Sequence, residues 1–365
     1  MKVVRLLGAL EPGGAQLSAL RLSVALRRHG VATTLVAGDA TPAGLELAAR
    51  YGLPAEAYRV SEVMPANSLQ WTPSPEFAGW LGPRLAEAGL VHAHMIGAWW
   101  AAAQVLPPHV PLVASEHNQM TWPTVDYTPQ ARDAAPRVDL FFAHGPSARA
   151  WAAGIGVGDD RLRDGRSSVQ GLSARPLPGL PTPRLTFAGR FRGDKAPDLL
   201  IEALALMDAP PPAYLIGDGP LRDQLICLVR DRRLDAVVHL PGWSFEPARY
   251  VAGASVHVVP SREESWSQSA VLAMGLGVPV IGTAVDGLAR TLGEGRGILV
   301  PPQDPRALAE ALSRVLTGGE RPDPAPGRAY ARQFTPTAAA AMYADAYRQL
   351  LAERTRSGMS GTPPR

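Results

Sequence analysis

Short apolar runs that end in polar or glycine residues recur along the chain, with helix-spaced apolar residues between them. The first, KVVRLLGAL at residues 2–10, runs into EPGGA. Beyond it Leu17, Leu20 and Val24 recur at helical spacing, and Gly30 follows Arg27, Arg28 and His29 as a C-terminal stop. VATTLVAG is the next strand. Strand, glycine turn, helix and strand make one βαβ unit, which implies a parallel sheet. LVHAHMI, PLVASEHN and VDLFFAHG continue the series, each an apolar strand with polar residues at its carboxyl end, where open parallel sheets bind ligands.

Between Asp164 and Pro183 the text changes to DGRSSVQGLSARPLPGLPTP, which reads as a linker. The alternation then restarts with RLTFAGR, AYLIGDG, AVVHLPGW, SVHVVPS, VPVIGTA and GILVPP as strands. TAAAAMYADAYRQLLAER predicts a terminal helix, and the residues after it are expected to be disordered. The expected organisation is an N-terminal doubly wound domain over 1–165, a linker over 166–183, and a second such domain over 184–335. A helix over 336–353 would pack back on the first domain, ahead of a tail over 354–365. The fold class is α/β, two Rossmann-like parallel-sheet domains facing across a cleft.

Composition narrows the partners. At 365 residues the chain exceeds one ordinary core, and 46% hydrophobic with 19% charged residues fits a folded soluble protein. The net charge is only +3, and residues 1–175 carry 15 Lys or Arg against 14 Asp or Glu. Without a basic block, neither nucleic-acid binding nor membrane association is expected. The N-terminus reads as a strand and not a secretion signal, and no stretch reaches the ~18 apolar residues of a membrane span. A cytoplasmic protein is expected. The single Cys227, in a helical pattern, is expected to be a core thiol.

Several turns could carry chemistry. In FAGRFRGDKAPDLL, Arg190 and Lys195 sit where a strand gives way to a helix, a site for a diphosphate or simply a solvated turn. Gly217 and Gly219 flank Asp218 at another such turn, for close approach of a ligand or for a tight bend. Gly242 and Trp243 follow a further strand, where a flat base could rest, or where the indole simply packs. In PSREESWSQSAVLAMGLGVPV the helix is predicted to begin near Ser267. That puts Glu264 in the loop at its N-terminus, where a carboxylate can accept sugar hydroxyls. Glu263 is expected to face solvent.

In the first half, Gly13 and Gly14 lie at a strand-to-helix turn, and Glu116, His117 and Asn118 at a strand end. His92 and His94, an i, i+2 pair, are expected on opposite strand faces and therefore not to share a metal. No Asp-x-Asp is present to hold a metal on a diphosphate.

Taken in order, the Gly13-Gly14 loop, SEHN, GRFRGDK, IGDGP and PSREESWSQSAVLAMGLGVPVIGTAVDG resemble the retaining GT-B glycosyltransferases of family 4, most strongly over residues 184–305. The resemblance implies a nucleotide-sugar donor, most simply a UDP-sugar, with no metal and no other cofactor. It implies that Arg190 and Lys195 neutralise the leaving diphosphate and that Glu264 holds hydroxyls of the transferring sugar. His117 would lie near the reacting centre, and the backbone of Ser265, Trp266, Ser267, Gln268 and Ser269 would contact sugar and phosphate. Gly13 and Gly14 would approach the diphosphate, with Gly217 on the donor side and the base near Gly242 and Trp243.

Ser265 and Ser267 replace glycines usual in the family, and Leu272 replaces a second Glu that usually holds the ribose. Losing one charge-assisted hydrogen bond costs about 1.5–3 kcal/mol, roughly ten- to a hundredfold in donor affinity. Gln268, one helical turn earlier, is expected to compensate in part. The same motifs, with ALEPGGAQLSALRLS, also resemble actinobacterial enzymes of aminoglycoside antibiotic biosynthesis that act on pseudodisaccharides such as paromamine. A small cationic acceptor would meet acidic residues, for which Glu11, Asp39, Glu116 and Asp126 are the candidates.

Overall fold

The computed structural model describes residues 1–117, 126–320 and 322–356. Its contacts divide into two compact units, residues 1–168 with the C-terminal segment from Pro336, and residues 169–335.

The first unit carries a seven-stranded sheet of β1 (Lys2–Leu10), β2 (Ala32–Ala40), β3 (Ala55–Val60), β4 (Leu90–His94), β5 (Leu112–Glu116), β6 (Leu140–Ala143) and β7 (Leu162–Asp164). Every pair is parallel, in the order β3-β2-β1-β4-β5-β6-β7. The inner strands are buried almost end to end, which is why they read as unbroken apolar runs. Order reverses between β1 and β4, and the turns at the carboxyl ends there are Glu11–Gly14 and the loop that follows His94.

The second unit repeats the plan with β8 (Leu185–Ala188), β9 (Ala213–Ile216), β10 (Val238–Gly242), β11 (Val256–Val259), β12 (Val280–Thr283) and β13 (Ile298–Val300), in the order β10-β9-β8-β11-β12-β13. Its order reverses between β8 and β11. The loop after β8 carries Arg190 and Lys195, and the loop after β11 carries Glu264.

The helix Pro336–Arg356 belongs to the first unit. Ala339, Ala340, Tyr343, Tyr347 and Leu350 pack against Leu22, Leu26, Leu90, Val113 and Phe142 in one buried cluster. Arg354 ties its end to Asp139 and to the carbonyl of Pro108. Of the stretch 166–183, the Ser168 amide donates to Ser18 Oγ at 2.7 Å, while the Val169 amide donates to the Phe334 carbonyl at 2.7 Å. The expected tail lies largely in 357–365, outside the described residues. No described helix is long and apolar enough to cross a membrane. Cys227 is exposed, against the expectation of a core thiol, because the helix Arg222–Asp231 buries Leu225 and Val229 and turns Cys227 outward.

Candidate active site

In the second unit the two loops at the switch point are locked together. Lys195 Nζ lies 2.8 Å from Glu264 Oε2, and Ser261 Oγ donates to the same oxygen at 3.3 Å. Asp194 Oδ2 stands 3.7 Å from Lys195. Arg262 clasps Asp198 through its two terminal guanidinium nitrogens, at 3.0 and 2.5 Å, and donates to the Gly193 carbonyl at 2.9 Å. Its amide donates to the Asp194 carbonyl at 2.8 Å. Arg262, Asp198 and Asp194, which the motif reading passed over, therefore hold the loop of Lys195 against the loop of Glu264. Arg190 opens the former loop directly after Gly189, and Glu263 is exposed.

Glycines allow the neighbouring turns to come this close. Gly217 and Gly219 both have φ of 153°, and a Cβ at Gly219 would stand 2.6 Å from the Phe191 carbonyl. Of the two roles left open for this turn, close approach is met by the protein's own backbone. Gly242 differs: it has φ of 87° and open space around it, so its backbone angle and not crowding requires glycine. Trp243 beside it is half-exposed and meets Phe245 edge-on at 4.3 Å. Gly287 abuts Ser265 so closely that a Cβ would strike the Ser265 carbonyl.

The helix after Glu264 runs Gln268–Leu276 and is capped by Ser267, whose Oγ accepts from the Ala270 amide at 3.3 Å. Ser269 Oγ lies 3.3 Å from Ser267 Oγ. The amides of the first turn have no partner within the helix and carry partial positive charge. Two of the expected contributors face inward. Trp266 packs on Phe334 at 4.6 Å and donates to Tyr330 Oη at 3.3 Å, so its indole anchors the loop and leaves only its backbone for a ligand. Leu272 is 6% exposed within an apolar cluster with Val271, Met274 and Val278, while Gln268 at the start of the helix is half-buried.

In the first unit, Gly13 is the N-cap of the helix Gly14–Leu26; Gly13 is buried and Gly14 exposed. Glu11 is half-exposed just before it. Two acidic candidates for the acceptor do not reach a surface. Asp39 is 1% exposed, accepting from Arg59 Nε at 2.6 Å and from the Leu69 amide at 2.6 Å. It pins the segment that Gly8 and Gly38 admit against β1 and β2. Glu116 is fully buried, with Trp99 Nε1 donating to Oε2 at 3.3 Å and, among the described residues, no hydrogen-bond partner for Oε1. Burial pushes its pKa up to about 8, so near neutrality it is mostly uncharged. Asp126 stays at the surface and accepts from the Thr128 amide at 2.9 Å. Asn118 lies outside the described residues.

His117 follows directly after β5 and joins a group of rings that includes His92, His94 and His144. Residues two apart on a strand return to the same face, so His92 and His94 stack at 4.4 Å, not on opposite faces as expected. His94 Nδ1 lies 3.0 Å from His117 Nε2, and the His117 ring packs, tilted by 30°, against His144 at 3.9 Å. Burial, then Arg5, lower the His117 pKa to about 4. Among the described residues no group of His, Cys, Asp and Glu is arranged to hold a metal ion.

Two family models match the chain, Glycosyltransferase Family 4 over residues 12–163 and Glycosyl transferases group 1 over residues 182–318. A D-inositol 3-phosphate glycosyltransferase of Xylanimonas cellulosilytica is 30% identical over 295 residues, which is 76% of this chain and 70% of the relative. One from Streptomyces griseus is 33% identical over 54% of this chain, which spans 46% of that relative. Among solved structures, Anabaena HepE in complex with UDP matches with a TM-score of 0.78 at 18% identity, over 96% of this chain and 100% of that one, a likeness of fold.

Proposed function

Since the chain belongs to the group 1 glycosyltransferases, we propose that it transfers a sugar from a nucleotide sugar to a hydroxyl of a soluble cyclitol, with retention and without a metal. The observation that carries this reading is the contact of Lys195 with Glu264 at the switch point of the second sheet, beside the start of the helix Gln268–Leu276. In this reading the cation meets the diphosphate and the carboxylate accepts from sugar hydroxyls, from adjoining positions.

Chemically, the bond from the anomeric carbon to the diphosphate oxygen breaks first. Arg190, Lys195 and the helix amides meet the charge growing on that oxygen, while Glu264 accepts hydrogen bonds from the sugar. The acceptor hydroxyl attacks from the face the diphosphate leaves, and its proton passes to the departing phosphate oxygen. UDP is the first donor base to try, because HepE was crystallised with UDP. The relatives named above bear the inositol name, not that of antibiotic biosynthesis. Inositol and the 2-deoxystreptamine of paromamine are both carbocyclic polyols, so a cyclitol hydroxyl is the acceptor chemistry the two readings share.

The test is a mass-spectrometric transfer assay with UDP-, GDP- and dTDP-sugars, offering inositol phosphate and paromamine as acceptors, with a chelator present. One product from a UDP-sugar is the expected result, and the anomeric configuration of that product decides retention. Donor binding without any product would refute the cyclitol acceptor and favour a lipid acceptor or a site that binds without turnover.

A further inference from the structure

Arg5 is fully buried in the middle of β1, and a guanidinium has only donors to offer. Its Nη1 lies 2.8 Å from His94 Nε2. That imidazole nitrogen must accept, because a proton on it would face a second proton across the contact. The proton of neutral His94 is then on Nδ1, which lies 3.0 Å from His117 Nε2. By the same reasoning His117 Nε2 accepts, His117 is neutral, and its proton sits on Nδ1. We propose that Arg5 is a positioning residue that fixes the tautomer of His117 through His94, so that Nδ1 of His117 is a hydrogen-bond donor and never an acceptor.

The neighbouring branch supplies an internal control. His92 Nδ1 lies 2.6 Å from Tyr347 Oη and 3.3 Å from Arg5 Nη1, and Arg5 Nη2 donates to Tyr347 Oη at 3.4 Å. With Arg5 donating to it, the tyrosine hydroxyl turns its own proton to His92 Nδ1. The proton of His92 therefore sits on Nε2 and is donated to Ser115 Oγ at 2.8 Å. Two histidines on one face of one strand thus hold opposite tautomers. Burial, reinforced by Arg5 and the neighbouring rings, keeps both well below the usual histidine pKa.

For the transfer reaction proposed above, and if His117 lies near the reacting centre as the family resemblance implies, it would meet the sugar as a neutral donor. It could not draw a proton from the acceptor through Nδ1, which leaves that proton to the departing phosphate.

Imidazole nitrogen NMR on the whole chain at neutral pH, without donor or acceptor and assigned with single His→Gln variants, tests the tautomers directly. Protons on Nδ1 of His94 and His117 and on Nε2 of His92 are expected. A proton on Nε2 of His117 overturns the proposal. Arg5→Met should move the His117 proton towards Nε2, whereas Arg5→Lys, whose ammonium can only donate, should keep it on Nδ1. A folded Arg5→Met protein with an unchanged His117 signal removes Arg5 from the role. Should Arg5→Met not fold, the wild-type spectrum still decides the tautomers. Because no substrate is present, this result is separable from success or failure of the transfer assay.

Discussion

Lys195 Nζ and Glu264 Oε2 lie 2.8 Å apart although 69 residues separate them along the chain. The contact exists because β8 and β11 are neighbours, so the loops that leave their carboxyl ends meet. The two side chains are 23% and 9% exposed, and ion pairs that still touch solvent contribute only about 0–1 kcal/mol. The pair therefore adds little to stability; on the function proposed above, it holds a cation and a carboxylate in place before a ligand arrives.

Lys195→Ala should lower kcat/KM for transfer by about 10²–10³-fold, the usual loss when one stabiliser of developing charge is removed. Its melting temperature should stay within a few degrees of wild type. Glu264→Gln, which keeps the shape and removes the charge, should reduce turnover with the same small thermal effect. Steady-state kinetics beside thermal melts check both, and an unchanged rate would exclude the pair from the chemistry.

Gly287→Ala adds a Cβ where the Ser265 carbonyl and Cα already stand. The loop of Glu264 must shift, at a cost of about 1–3 kcal/mol for overpacking. Titration of UDP by calorimetry should show weakened binding although Gly287 itself touches no ligand in the proposed site. Wild-type affinity in this variant would mean that the loop position does not govern the donor.

Asp39→Ala removes the partner of the Leu69 amide and of Arg59. Leaving a buried amide unsatisfied costs about 1–3 kcal/mol, so denaturant midpoints should fall. Acceptor KM in the surviving folded enzyme should stay near wild type. A large change in KM with unchanged stability would return Asp39 to the acceptor.

Glu116 gives a pH dependence of definite sign. Its folded pKa of about 8 exceeds the ordinary carboxyl value of 4.5, so the folded state holds a proton that the unfolded chain has lost. The stability this group supports is complete below pH 4.5 and declines as pH rises through about 8. Glu116→Gln, a neutral isostere, should therefore gain stability relative to wild type on going from pH 5 to pH 8, by a few kcal/mol at most. His117, lowered to about 4, acts in the opposite sense, its contribution declining as pH falls from 6.5. Urea denaturation of both proteins at the two pH values isolates the Glu116 contribution, and a pH-independent difference would show that Glu116 is charged in the fold.

Cys227 is the only cysteine and lies exposed. A maleimide should label the native protein to completion, with transfer activity retained because the helix Arg222–Asp231 turns this residue to solvent. Labelling only after denaturation would put the thiol back in a core.

The sequence by itself determined the two parallel sheets, because strands buried on both faces must be apolar throughout and therefore stand out in the text. It also located the turns of Arg190, Lys195 and Glu264 and the helix start at Ser267, since caps and glycine turns are local chemistry. The edge strands Ala55–Val60 and Leu162–Asp164 were not legible as strands, being short and partly solvated, with charged residues among the apolar ones. Tertiary structure alone decided which polar residues are structural. Asp39 is bonded to Leu69, 30 residues on, Glu116 is enclosed beside Trp99, and His92 meets Tyr347 across 255 residues. The fate of a buried charge or ring depends on partners delivered by distant segments, and a linear pattern carries no record of which segment arrives.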